Sequence, residues 1–143
     1  MIEYIANKIT LNEYLSIRSA VKWKHLSDSQ ALQALNNSLY LMGAYEDGRL
    51  IGMGRVVGDG SVICYVQDLI VLPEYQGKGV GSQILNNLTD YVKGLAEPDT
   101  EMMFGLMCAK GREKFYEKHG FIARPTSTLG PGMIQYLNGV VNS

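Results

Sequence analysis

Residues 62–92 limit most strongly what this chain can fold into. Residues 62–72 form a long apolar run rich in β-branched residues, closed by Pro73, which cannot donate to a central ladder. Gln76-Gly77-Lys78-Gly79-Val80-Gly81 follows. Beyond it Ile84, Leu85, Leu88, Tyr91 and Val92 recur at i, i+1, i+4, i+7 and i+8, the spacing of an amphipathic helix. A glycine loop between a strand and a helix can aim several backbone N–H groups at one anion, with the positive end of the helix dipole behind them. Phosphate or pyrophosphate suits such a loop, although a plain glycine-rich turn would read the same way. Spacing rejects two familiar alternatives. A P-loop needs four residues between its first Gly and Gly-Lys-Ser/Thr, whereas Lys78 is followed by Gly79. A dinucleotide fold needs G-x-G-x-x-G opening a βαβ unit, and this chain offers G-x-G-x-G after what reads as an antiparallel meander.

That meander begins near Tyr40. Residues 41–45 and 50–57 read as strands around Asp47-Gly48, a dipeptide that accepts the positive φ of a tight hairpin turn. Upstream, Thr10-Leu11-Asn12-Glu13 has capping-box spacing and Ser27-Asp28-Ser29-Gln30 repeats it, so two short helices open the fold. Lys22-Trp23-Lys24-His25-Leu26 joins them. Downstream, a strand is expected over residues 102–108 and a helix over 113–118, with Gly120 suited to the position after its C-cap. Residues 121–123 and 133–137 read as two further short strands. The predicted order is α, α, three β, α, β, α, β, β.

The sequence has 143 residues, 46% hydrophobic and 19% charged, which suits a single globular domain spanning 1–143. Thirteen Lys and Arg against 14 Asp and Glu leave no cationic field for nucleic acid. No apolar run reaches the ~18 residues of a bilayer span, and Met1-Ile2-Glu3-Tyr4 lacks a signal-type opening, so a cytoplasmic protein that does not engage membranes is expected. Cys64 and Cys108 lie in strand-like apolar runs and read as reduced core residues. Met102, Met103 and Met107 read as core filler. Neither His25 nor His119 has partners at metal-ligand spacing, so no metal is expected, and His119 reads as a dipole partner at a helix C-terminus.

The run Asp68-Leu69-Ile70-Val71-Leu72-Pro73-Glu74-Tyr75-Gln76-Gly77-Lys78-Gly79-Val80-Gly81 resembles the V-x-P-x-Y and Q/R-x-x-G-x-G/A segment of the GCN5-related N-acetyltransferases, or GNAT family. Phe115-Tyr116-Glu117-Lys118-His119-Gly120-Phe121 resembles the family's downstream F-Y-x-x-x-G-F. The likeness covers residues 44–121; the first forty residues and the last twenty match in layout only. It implies a mixed α/β (α+β), mostly antiparallel sheet of six to seven strands flanked by about four helices. A splayed cofactor cleft would lie between the fourth and fifth strands. It also implies acetyl-CoA as cosubstrate, with the backbone of Gln76, Gly77, Lys78, Gly79, Val80 and Gly81 on its pyrophosphate and that of Ile70 and Val71 along the pantetheine arm. Many relatives dimerise, often through C-terminal strands, so a homodimer is expected.

The same resemblance makes Tyr116 the general acid on the departing thiolate, against a reading of Phe115 and Tyr116 as core aromatics. Asp68 interrupts an apolar strand; it could accept the amine proton directly or through water, pair with a cationic acceptor, or anchor a neighbouring loop. Trp23 and His25 lie on a connection that borders the acceptor cleft in the family, and Arg55 is either an acceptor anchor or a solvated strand residue. The expected activity is direct acetyl transfer to a small-molecule primary amine. Acetylation of a protein or peptide amine and a CoA-binding regulatory module are the alternatives. Arylalkylamines, polyamines, aminoglycosides and amino acids all remain open as acceptors.

Overall fold

The computed structural model describes residues 1–140. Two compact units divide the chain, Met1–Leu106 and a second that begins at Met107. The first is built on one sheet in the order β1-β2-β3-β4-β5. Its strands are β1 Ile2–Ala6, β2 Tyr40–Glu46, β3 Arg49–Gly58, β4 Ile63–Val71 and β5 Met103–Leu106, with helices α1 Leu11–Ala20, α2 Asp28–Asn36 and α3 Val80–Leu95. Strands β1 to β4 are antiparallel and β5 runs parallel to β4. The second unit holds one helix, α4 Glu113–Lys118.

Local chemistry sets most of these boundaries. Thr10 Oγ1 accepts from the Glu13 N–H at 3.2 Å while Glu13 Oε1 accepts from the Thr10 N–H at 2.9 Å, a reciprocal cap on α1. Ser27 Oγ caps α2 by accepting from the Gln30 N–H. Asp47 and Gly48 have φ of 50° and 78°, so a two-residue turn joins β2 to β3. Helix α3 buries Val80, Ile84, Leu85, Leu88 and Val92 against the sheet, each worth ~1.5–3 kcal/mol. Gly54 permits that approach, because a Cβ there would lie 2.8 Å from Leu88 Cδ1. Helices α1 and α2 serve the other face, where Tyr14 and Ala34 bond to Asp68 and Arg55.

Among the described residues the sheet has five strands, not six or seven. Residues 121–123 and 133–137 are irregular. Pro125, Gly130, Pro131 and Gly132 separate them, and Met133, Ile134, Tyr136 and Leu137 stay exposed, so no buried face fixes a register. Strand β1 was not expected; Ile2–Ala6 is short, with little alternation, and takes its register from β2. Met103, on the short edge strand β5, and Met107, just beyond its end, are more than half exposed rather than core filler. Cys64 is buried as expected, but Cys108 is exposed, beyond the end of β5 where strand alternation no longer decides burial. Among the described residues no helix is long and apolar enough to cross a membrane, and no group of three His, Cys, Asp or Glu is placed to hold a metal.

Candidate functional site

Strand β4 outruns its parallel neighbour. Pairing with β5 covers Ile63 to Val66, opposite Met103 to Leu106, whereas β4 continues to Val71. On the other side the Leu72 N–H donates to the Ile51 carbonyl across β3. Backbone direction alternates along a regular strand, so Ile70 also turns its N–H and C=O toward β3 and Val71 turns its own to the free edge, as does the Leu69 carbonyl, which lies opposite the Ile70 N–H across their shared peptide. Of the two expected edge residues only Val71 faces it. Leu69 was missed, because a hydrophobic run does not reveal which residues face which neighbour. The Val71 carbonyl accepts from Gln76 Nε2 at 3.0 Å, which ties the edge to the glycine loop.

That loop is held from behind. A 3-10 turn, Pro73–Tyr75, leads into it, and the Tyr75 hydroxyl donates to Glu46 at 2.7 Å. Gly77 and Gly79 have φ of 76° and 83°, and a Cβ at either would meet nothing within 4 Å. Gly79 is the N-cap of α3, whose first turn carries no acidic residue. Gln83 donates the first helical bond, to Gly79, so the N–H groups of the preceding helical residues have no intrahelical acceptor. The loop is exposed, electropositive in its backbone and open where a side chain would close it. These features fit a phosphate ligand.

Asp68 sits where β4 bulges: Asp68 and Leu69 together oppose Gly54, and Asp68 has φ of 55°. Its side chain is 1% exposed and carries three partners. Arg18 Nη1 donates to Oδ1 at 2.8 Å, Arg55 Nε donates to Oδ2 at 2.9 Å, and the Tyr14 hydroxyl donates to Oδ2. Arg55 is a buried strut, not a solvated strand residue, since its Nη1 also donates to the Ala34 carbonyl and Ser38 Oγ. Burial, then the bond to Asp68 and its charge, push the Tyr14 phenol up to about 12, against the pull of both arginines. Tyr14 and Arg18 were not singled out from sequence. Their i, i+4 spacing on α1 placed them on one face and was the available signal.

Arg18 also reaches the connection between α1 and α2. Its Nη2 donates to the Lys24 carbonyl at 2.9 Å, and its guanidinium lies 5.4 Å from the Trp23 ring. Trp23 and His25 meet there in a surface hollow with Arg18, Ser19, Lys22 and Lys24.

In the second unit, Tyr116 lies on α4, half-buried, with its ring edge-on to Phe115 and Phe121 at 5.1 and 5.9 Å. Burial pushes its phenol above the ordinary value, with Cys108 adding and Arg112 opposing. The hydroxyl therefore keeps its proton at neutral pH. His119 is the C-cap of α4.

The acetyltransferase (GNAT) domain matches residues 37–123, more than half of the chain. The chain belongs to the GNAT family. Among solved GNAT-like folds, a protein of unknown function from methicillin-resistant Staphylococcus aureus, described as a "probable acetyltransferase", is 31% identical. Its TM-score is 0.83, over 95% of this chain and 100% of that one. A GNAT-family acetyltransferase from Streptococcus pneumoniae is 29% identical, with TM-score 0.78 over 96% and 98%. A ycf52-like N-acetyltransferase of Prochlorococcus marinus, described as uncharacterized, is 26% identical over 121 residues, or 82% of this chain. The chain spans 65% of that relative's length. The GNAT match takes in β2 to β5, the glycine loop, Asp68 and Tyr116. It leaves out Tyr14, Arg18, Trp23 and His25.

Proposed function

We propose that the protein is an acetyl-CoA-dependent N-acetyltransferase acting on the primary amine of a small molecule by direct attack in a ternary complex. The open glycine loop at the start of α3, beside the free edge of β4, carries this reading. The backbone of Gln76, Gly77, Lys78, Gly79, Val80 and Gly81 holds the pyrophosphate. Leu69 and Val71 offer edge groups to the pantetheine arm, as an added strand would use them. Ile70, turned toward β3, contributes packing.

Acetyl-CoA brings an activated acyl group as its thioester. The amine nitrogen bonds to the carbonyl carbon as the carbon–sulfur bond breaks, the surplus amine proton passes to water, and Tyr116 protonates the departing thiolate and takes a proton back from water. Asp68, with three donors on its carboxylate, serves as a positioning residue that fixes the bulge rather than as the base. A cytoplasmic homodimer completes the reading. The free Cys64 and Cys108 support the compartment, and the exposed Met133, Ile134, Tyr136 and Leu137 support an interface.

Free-thiol release from acetyl-CoA across a panel of primary amines tests the activity, and at least one small amine should be acetylated. Tight acetyl-CoA binding without transfer to any amine would make the protein a CoA-binding module, and transfer only to peptide amines would reassign the acceptor. The loop is tested by a matched pair, Gly79→Asn and Gly79→Asp. Both side chains tolerate the left-handed backbone at φ 83°, and they differ only in charge. The Asp variant should bind acetyl-CoA at least tenfold more weakly than the Asn variant in calorimetry. Equal affinities would take the pyrophosphate away from this loop.

A further inference from the structure

We propose that the hollow between the end of α1 and the start of α2 holds a carboxylate or phosphate on the acceptor, making the substrate an amine that also carries negative charge. This rests on the acetyltransferase reading and narrows its substrate class.

The lining includes Arg18, Ser19, Lys22, Trp23, Lys24 and His25, and no Asp or Glu. In a chain with more acids than bases, 14 against 13, an acid-free hollow with three cations is a local concentration of positive charge. The cluster behind it leaves that charge standing: Asp68 pairs with both Arg18 and Arg55, so Arg55 offsets the one carboxylate and the three cations of the hollow are not cancelled from behind. Arg18 and Lys22 suit the negative end of the α1 dipole on their own account. Lys24 and His25 lie beyond the helix, and that explanation does not reach them.

The hollow is also preorganised. Arg18 Nη2 fixes the Lys24 carbonyl, the Trp23 N–H donates to the Arg18 carbonyl at 3.0 Å, and Lys22 holds a left-handed φ of 62°. A non-glycine residue in that conformation costs ~1–2 kcal/mol, and here it places a lysine on the rim. Trp23 is 41% exposed and supplies an apolar wall. The hollow and the β4 bulge are one guanidinium apart, since Arg18 Nη1 bonds to Asp68 and Nη2 to Lys24. Asp68 immediately precedes Leu69, the first of the free-edge residues. An acceptor anchored in the hollow is thereby tied to the strand along which the thioester would lie.

Trp23 is the only tryptophan in the sequence, so intrinsic tryptophan fluorescence reports this hollow alone. At constant ionic strength, three related primary amines serve as probes: ethanolamine, serine and O-phosphoethanolamine. Serine or O-phosphoethanolamine should change the emission saturably and ethanolamine should not, with the responding member telling carboxylate from phosphate. Lys22→Glu with Lys24→Glu should raise the dissociation constant at least tenfold, and the milder Lys24→Ala should raise it several-fold, with acetyl-CoA affinity unchanged. A saturable response to neither anionic probe, or one that charge reversal leaves intact, overturns the proposal. Because binding is read without turnover, this failure is distinct from failure of the acetyltransferase reading, which shows as no thiol release with any amine.

Discussion

Asn in place of Asp68 should lower the stability of the protein by ~3–5 kcal/mol, the usual cost of removing one partner from a buried ion pair. Asn is the stringent choice because it tolerates the left-handed backbone at φ 55° and keeps the volume. What it removes is charge: an amide group cannot accept at both oxygens, and its NH2 must face Arg18 or Arg55, which then lie buried without an anion. Tyr14→Phe deletes only the third donor and should cost less, ~1–3 kcal/mol. Urea unfolding of both variants measures the order. Activity adds a second readout. If Asp68 is a positioning residue, the folded fraction should keep the parental pH–rate profile. If it is the base, turnover should fall most at low pH, where less amine is already neutral. Parental stability in Asp68→Asn would remove the cluster as a support of the bulge.

The same residues mark where sequence reading succeeds and stops. The glycine loop was legible because local chemistry forces it: positive φ at Gly77 and Gly79 and a helix of period 3.6 behind them appear as letters in order. The Thr10–Glu13 capping box, the Ser27 cap of α2 and the Asp47-Gly48 turn were legible for the same reason, although Ser27 and Gln30 form only half of the box expected there. Asp68 stood out as a polar residue in an apolar strand, but its partners come from 50 and 54 positions away on α1 and from β3. No local rule connects them. The distinction between Ile70 and Val71 was likewise invisible, because it depends on which neighbour each backbone group faces. The C-terminal strands failed for the opposite reason. An apolar run such as Met133-Ile134-Gln135-Tyr136-Leu137 has strand propensity, yet propensity fixes nothing without a paired edge and a buried face.

Phe in place of Tyr116 should reduce the maximal rate of acetyl transfer ~100-fold or more while leaving acetyl-CoA affinity near the parental value. The ring contacts with Phe115 and Phe121 survive the exchange, so stability should change by less than ~1 kcal/mol. What disappears is a phenol that burial holds above its ordinary pKa and thus protonated at working pH. A thiolate leaving group benefits from that proton in proportion to its own basicity. The deficit should therefore shrink with an acyl thioester of a more acidic thiol, and this dependence separates proton donation from a packing effect, which would slow every donor equally. Stopped assays of thiol release with the two thioesters, under saturating acceptor, measure it. Full activity in Tyr116→Phe with the natural thioester would assign the residue to the aromatic cluster of α4 and give the acid role to water.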